Sequence, residues 1–212
     1  MHEKVLTPNA LKLLTEFNDE IKKFDFYLGG GSGLALQLGH RLSEDLDFFS
    51  SKEFQPEILI KYLESHYKYE EILITKGALN CFINDIKISF FHYDVPLVYP
   101  VKKFRKIKIA DWRDIMAEKF KTLSQRGSKK DFYDIYFCFK YKNLSISEGI
   151  KIFKIRFSGT GINFYHILKS LVYFEDAEKE PELNLIKKVS WQTVKNFFIE
   201  NLKEFEKYLL EI

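Results

Sequence analysis

Two carboxylates, Asp45 and Asp47, stand two residues apart in "FYLGGGSGLALQLGHRLSEDLDFFS", Phe26 to Ser50. On a strand, residues i and i+2 share a face, so both acids project together while Leu46 turns away. Parallel carboxylates repel unless a cation lies between them or water surrounds them. Hard oxygen ligands of this kind suit Mg2+, with Mn2+ as the other candidate, and leave positions for water and substrate phosphates. Just upstream, four of the ten glycines of the chain fall between Gly29 and Gly33, with Ser32 among them. Glycines let a backbone approach a phosphate closely, and a following helix would offer unpaired N–H groups and partial positive charge. The spacing is not that of a Walker loop, because no lysine follows, nor that of a dinucleotide fingerprint, because Leu34 breaks it. A plain tight turn and an exposed acidic strand end remain the alternatives.

The surrounding elements must hold these groups in place. "DFYLGG" reads as a short buried strand ending at the glycines, "GLALQLG" as a helix packed on a sheet, and "DLDFFS" as a second strand. Thr7 and Pro8 open a first helix, with Leu11, Leu14, Phe17 and Ile21 at helical spacing. "PEILIKYLESH" is an amphipathic helix. "YEEILITKG", "ALNCFIND" and "IKISFFHY" read as strands of an antiparallel meander with turns at Lys76-Gly77 and Asn84-Asp85. Beyond about residue 110 the pattern becomes helical, with Asp111 and Ser190 as cap candidates. The expected architecture is therefore α+β: an α/β domain over 1–106, then a helical bundle over 107–212.

Composition sets the broad class. The 212 residues are 46% hydrophobic and 17% aromatic, enough to build cores without disulfides or metals. Two cysteines, Cys81 and Cys138, show no zinc spacing and point to a reducing compartment. The opening "MHEKVLTPNALKLL" lacks a long apolar region, and no stretch approaches a membrane span, so a cytoplasmic protein without membrane contact is expected. The net charge of +3 names no partner. The clusters "KKFRKIK" (Lys102 to Lys108) and "RGSKK" (Arg126 to Lys130) are solvated faces or polyanion contacts.

Taken together, the glycine-serine turn and the Asp-x-Asp resemble the nucleotidyltransferase superfamily. More narrowly, Gly30-Gly31-Ser32-Gly33-Leu34-Ala35-Leu36, His40-Arg41 and Ser43-Glu44-Asp45-Leu46-Asp47-Phe48-Phe49 resemble the AbiEii/AbiGii toxin family. "AEKFKTLSQRGSKKDFYDIY", "LVYFEDAEKEPEL" and "SWQTVKNFF" extend the likeness from about residue 25 to 200. The resemblance implies the nucleotidyltransferase-fold mixed sheet with flanking helices, and transfer of a nucleoside monophosphate from an NTP to an acceptor. It also implies an RNA acceptor such as tRNA, a cognate antitoxin and a role in phage defence. In that reading Asp45 and Asp47 hold the metal and act in catalysis. Gly30, Gly31, Ser32, Arg41 and Lys119 contact the nucleotide. Lys130 and Asp131 join the catalytic set, and Arg126 and Lys129 touch phosphate or RNA. The sequence leaves plainer alternatives: a surface pair of Arg41 with Glu44, and an ion pair of Lys130 with Asp134 along one helix.

One position departs from the superfamily pattern. A third carboxylate is expected on the strand "DIKISFFHYD", where alternation puts Asp85, Lys87, Ser89 and Phe91 on one face. Ser89 occupies the position that a third acid would take. Asp85 lies about 13 Å further along the strand, and Asp94 serves only if the chain turns back. Two readings follow: an active Mg2+-dependent transferase, or a catalytically weak or inactive nucleotide- or RNA-binding module that retains the fold.

Overall fold

The structure, a computed structural model, describes residues 1–17 and 22–211. Ile21, expected in the first helix, lies outside the described residues. The chain divides into two compact units, Met1–Asp111 and Trp112–Ile212.

The first unit is built on a mixed sheet. Its strands are β1 (Tyr27–Leu28), β2 (Leu46–Ser50), β3 (Tyr69–Thr75), β4 (Ala78–Ile83), β5 (Ile86–His92), β6 (Lys102–Phe104) and β7 (Ile107–Ile109), in the order β3-β4-β5-β2-β1-β7-β6. The β3-β4-β5 meander is antiparallel, as its turn residues require. β2 runs parallel to β5 and antiparallel to β1, and β1 runs parallel to β7. Among the described residues, the α-helices α1 (Pro8–Glu16), α2 (Gly30–Leu38) and α3 (Pro56–His66) accompany the sheet. Thr7 caps α1 by accepting from the Ala10 N–H, with Pro8 in the first turn. One face of the sheet is core: Leu28, Leu46, Phe48, Ile88 and Phe90 are at most 1% exposed and pack with Leu14, Leu36, Leu59 and Leu63.

The hairpin β6–β7 went unread in the sequence. "KKFRKIKIA" carries the signal, since Phe104, Ile107 and Ile109 are buried while Lys103 and Lys108 are exposed. Arg105, at φ 52°, makes the turn. β7 belongs to the sheet through β1, and Ala110 N–H donates to Leu28 O. The first unit therefore ends at Asp111 rather than at the expected residue 106.

The second unit is helical: α4 (Trp112–Arg126), α5 (Lys129–Lys142), α6 (Ile146–Arg156), α7 (Phe164–Ser170), α8 (Glu175–Glu178), α9 (Trp191–Glu200) and α10 (Leu202–Leu210). Ser145 and Glu148 form a reciprocal cap on α6, and Ser190 caps α9. The long final helical run breaks at Asn201, whose side-chain amide donates to Phe197 O and so competes with the helix ladder. Aromatic rings fill the core: Phe120, Phe132, Phe153, Phe198 and Phe205 are all fully buried, with the Phe132 and Phe198 centroids 5.2 Å apart.

Candidate active site

The first turn of α2 is made of the glycines themselves, so the helix begins earlier than its apolar run suggests. Gly30 sits at φ +55°, a conformation few other residues adopt. The Asp47 carboxylate lies so close that a Cβ on Gly30 would be 2.3 Å from its Oδ2. β2 and β1 are locked at this level, because Gly29 N–H donates to Asp47 O at 2.9 Å. Asp45 and Asp47 are both half-buried, while Leu46, Phe48 and Ser50 between and beyond them are buried. The strand alternation thus delivers both acids to the face opposite the core, beside the start of a helix.

Arg41 takes a place the sequence left open. It is 6% exposed, and a Cβ on Gly31 would meet its Nη2 at 2.3 Å. Its Nη1 donates to Leu42 O at 3.0 Å, whereas Glu44 is exposed. A guanidinium is thereby held where a helix start already offers partial positive charge, an arrangement that an anion stabilises. Ser32 differs from expectation. Its hydroxyl is 1% exposed, lies 2.8 Å from Ser43 Oγ and hydrogen-bonds the Asp45 backbone carbonyl. It ties the helix start to the segment entering β2, so its link to the acids is through positioning.

Ser89 stands in direct register with Asp47 across the parallel β2–β5 pair, and Asn80 stands opposite Ser89 on β4. Directly paired residues point to the same face, so Ser89 shares the face of the acids. Asp94 is 88% exposed and pairs with His92 at 3.0 Å, and Asp85 pairs with Lys68 at 2.6 Å. Among the described residues, no group of three or more His, Cys, Asp or Glu side chains gathers to hold a metal. The carboxylates at this place are Asp45 and Asp47. Two hard carboxylates fit an ion that keeps several waters and completes its shell with phosphate oxygens, which is the habit of Mg2+.

Of the expected residues of the helical unit, Lys119 and Asp131 are brought together in its interior. Lys119 Nζ lies 2.7 Å from Asp131 Oδ1 and 2.7 Å from Asp134 Oδ2, with all three side chains at most 5% exposed. Arg126 donates to both Asp131 oxygens, at 2.8 and 3.0 Å. Burial by itself would raise the Asp131 pKa, but the Lys119 charge and the Arg126 hydrogen bonds outweigh it and hold the carboxyl below its ordinary value. Asp134 therefore pairs with Lys119 and not along the helix with Lys130, which is half-buried. Lys129 is 3% exposed. It lies 2.8 Å from Glu180 O and 3.2 Å from Glu182 Oε1, over the Trp191 ring. Lys129 is thus no surface contact for phosphate, because these partners hold its ammonium inside the unit.

A glycine-started helix abutting paired acids on a mixed sheet defines the nucleotidyltransferase class of fold. Two solved structures share it: JHP933 from Helicobacter pylori (18% identity, covering 98% of this chain and 91% of that one, TM-score 0.56) and MenT4, a nucleotidyltransferase toxin from Mycobacterium tuberculosis (13% identity, 87% and 78% covered, TM-score 0.55). An uncharacterized protein of Aquifex aeolicus is 36% identical over 185 residues, covering 85% of this chain and 88% of its own. The family described as nucleotidyl transferase AbiEii toxin, of type IV toxin–antitoxin systems, matches residues 12–73 and 84–210. The chain belongs to that family.

Proposed function

We propose that this chain is the toxin of a toxin–antitoxin pair and transfers a nucleoside monophosphate from an NTP to an RNA acceptor. The observation that carries the reading is the Asp47 carboxylate seated against Gly30 at the start of α2, with Arg41 against Gly31. Phosphates of the NTP would meet the first backbone N–H groups of α2 and the Arg41 guanidinium. Asp45 and Asp47 would hold Mg2+, which when bound supplies Lewis-acid polarisation of the α-phosphate. Ser32 and Ser43 would keep the acids and the helix start in fixed relation. Lys119, Asp131 and Arg126 would hold α4 to α5 rather than touch the nucleotide. Both cysteines are buried free thiols, which supports a reducing, cytoplasmic setting. Among the described residues, no helix is long and apolar enough to cross a membrane.

Purified protein incubated with labelled NTPs, Mg2+ and total tRNA tests the reading. Label on RNA that disappears in Asp45→Asn and Asp47→Asn supports it. Labelling that survives both substitutions refutes the site.

A second reading rests on Ser89. A serine in register with Asp47 leaves two acids where three are usual in the superfamily, which favours a module that binds nucleotide or RNA with little turnover. Retained NTP binding without any transfer would select it.

A further inference from the structure

The face of the sheet that carries the acids also carries a set of aromatic rings. On β2 the side chains of Asp47 and Phe49 alternate away from the core, and Asp45 immediately precedes the strand. Tyr27 pairs with Phe49 from β1, and Phe91 pairs with Phe49 from β5, each in direct register. The Phe49 centroid is 5.9 Å from Tyr27 with the rings stacked, 5.4 Å from Phe91 and 6.0 Å from Tyr93. None of the four belongs to the hydrophobic core cluster of the unit. Phe49, Phe91 and Tyr93 are half-buried, so part of each ring meets solvent. A Cβ on Gly29 would lie 2.9 Å from the Phe49 ring, which places that ring against the turn entering α2.

Tyr27 is buried and backs the other three rings, and the position of the shelf relative to the acids is fixed. Phe49 follows Asp47 by two residues, about 7 Å along the strand. A nucleobase stands one ribose away from its own phosphate, a separation of the same order. Aromatic faces take bases by stacking irrespective of sequence. We infer that Phe49, Phe91 and Tyr93, backed by the buried Tyr27, form a nucleobase-stacking subsite beside Asp45 and Asp47. The inference rests on the nucleotidyltransferase reading above. A base could reach the shelf from the NTP or from the terminal nucleotide of the acceptor RNA, and the two sources are separable.

The test uses the full chain with Phe49→Leu and Phe91→Leu, which keep apolar volume but remove the π face. Three ligands are titrated in Mg2+: NTP, inorganic tripolyphosphate and a single-stranded oligoribonucleotide. Stacking predicts an affinity loss of about 5- to 150-fold for a base-bearing ligand, equivalent to about 1–3 kcal/mol at 1.4 kcal/mol per tenfold. Tripolyphosphate has no base and should bind both variants as it binds the parent. Loss confined to NTP assigns the shelf to the incoming nucleotide, and loss confined to RNA assigns it to the acceptor. Unchanged binding of both in folded variants overturns the inference while leaving the metal site intact. Equal losses for all three ligands also overturn it, since that pattern means a disturbed fold. Should either leucine variant fold poorly, Phe49→Tyr and Phe91→Tyr, which keep the rings, should bind all three ligands as the parent does, and loss of base-bearing ligands in these tyrosine variants would overturn the inference. Absence of NTP and tripolyphosphate binding in the parent would instead sink the nucleotidyltransferase reading.

Discussion

Replacing Lys119 by methionine separates a structural lysine from a substrate-binding one. The Lys119 ammonium is 2.7 Å from both Asp131 and Asp134, and the two acids are fully buried. Removing one partner of a buried ion pair costs about 3–5 kcal/mol, because a charge is left behind in a medium that solvates it badly. Asp131 keeps its two bonds from Arg126, so the lower end, about 3 kcal/mol, is expected. For a unit of about 100 residues, 1 kcal/mol moves the melting midpoint by about 4–8 °C, which gives a drop of about 12–24 °C. Thermal unfolding followed by circular dichroism, on Lys119→Met and the parent, measures this. The parent should also lose stability in acid. The folded pKa of Asp131 is depressed, so its contribution is complete above the unfolded carboxyl value of about 3.9 and disappears as pH falls through the folded value. A midpoint within about 2 °C of the parent, together with lost NTP binding, would refute this reasoning and return Lys119 to the nucleotide.

Other substitutions probe the site itself. Gly30→Ala should abolish Mg2+-dependent NTP binding measured by calorimetry, because a Cβ there would strike the Asp47 carboxylate at 2.3 Å, and the φ of +55° should cost a further ~1–2 kcal/mol of stability. Unaltered binding in Gly30→Ala would remove Asp47 from the site. Ser89→Asp places an additional acid in register with Asp47 and should tighten Mg2+ binding about 10-fold, read as the Mg2+ concentration giving half-maximal transfer. No change there would mean that the side chain at 89 does not face the ion. Burial pushes the Cys81 thiol up to about 12 and Cys138 well above its usual value, so neither should react with a disulfide reagent at pH 8 until the protein unfolds. Rapid modification of the native protein would contradict the packing around both.

Much of the site was legible because it is local in sequence. A period of two residues placed Asp45 and Asp47 on one face, and glycine content announced a close backbone approach. Alternation put Ser89 on one face with Asp85, Lys87 and Phe91, the superfamily resemblance singled it out among them, and the structure sets it in register with Asp47 on the neighbouring strand. The meander and the caps at Thr7 and Ser190 were legible for the same reason, since turns and caps depend on residues three or four apart. The β6–β7 hairpin was masked by its lysines, which dominate composition while three alternate apolar residues do the packing.

Burial over long sequence separation was not legible. Lys119, Arg126, Asp131 and Lys129 have the composition of a basic, solvated surface, and only the packing of the helices buries Lys119, Asp131 and Lys129 against partners of opposite charge while Arg126 reaches Asp131 from the surface. Arg41 and Glu44 lie three residues apart, yet Gly31, ten residues upstream of Arg41, is what the guanidinium meets. The aromatic shelf joins residues from three strands and the Tyr93 segment, and no single stretch of sequence contains it. The sequence by itself determined which groups face each other within one strand or one helix turn, because backbone geometry fixes that. Whether a charge meets solvent, a substrate or an opposite charge was decided only by the tertiary structure, because that depends on which distant segments close over it.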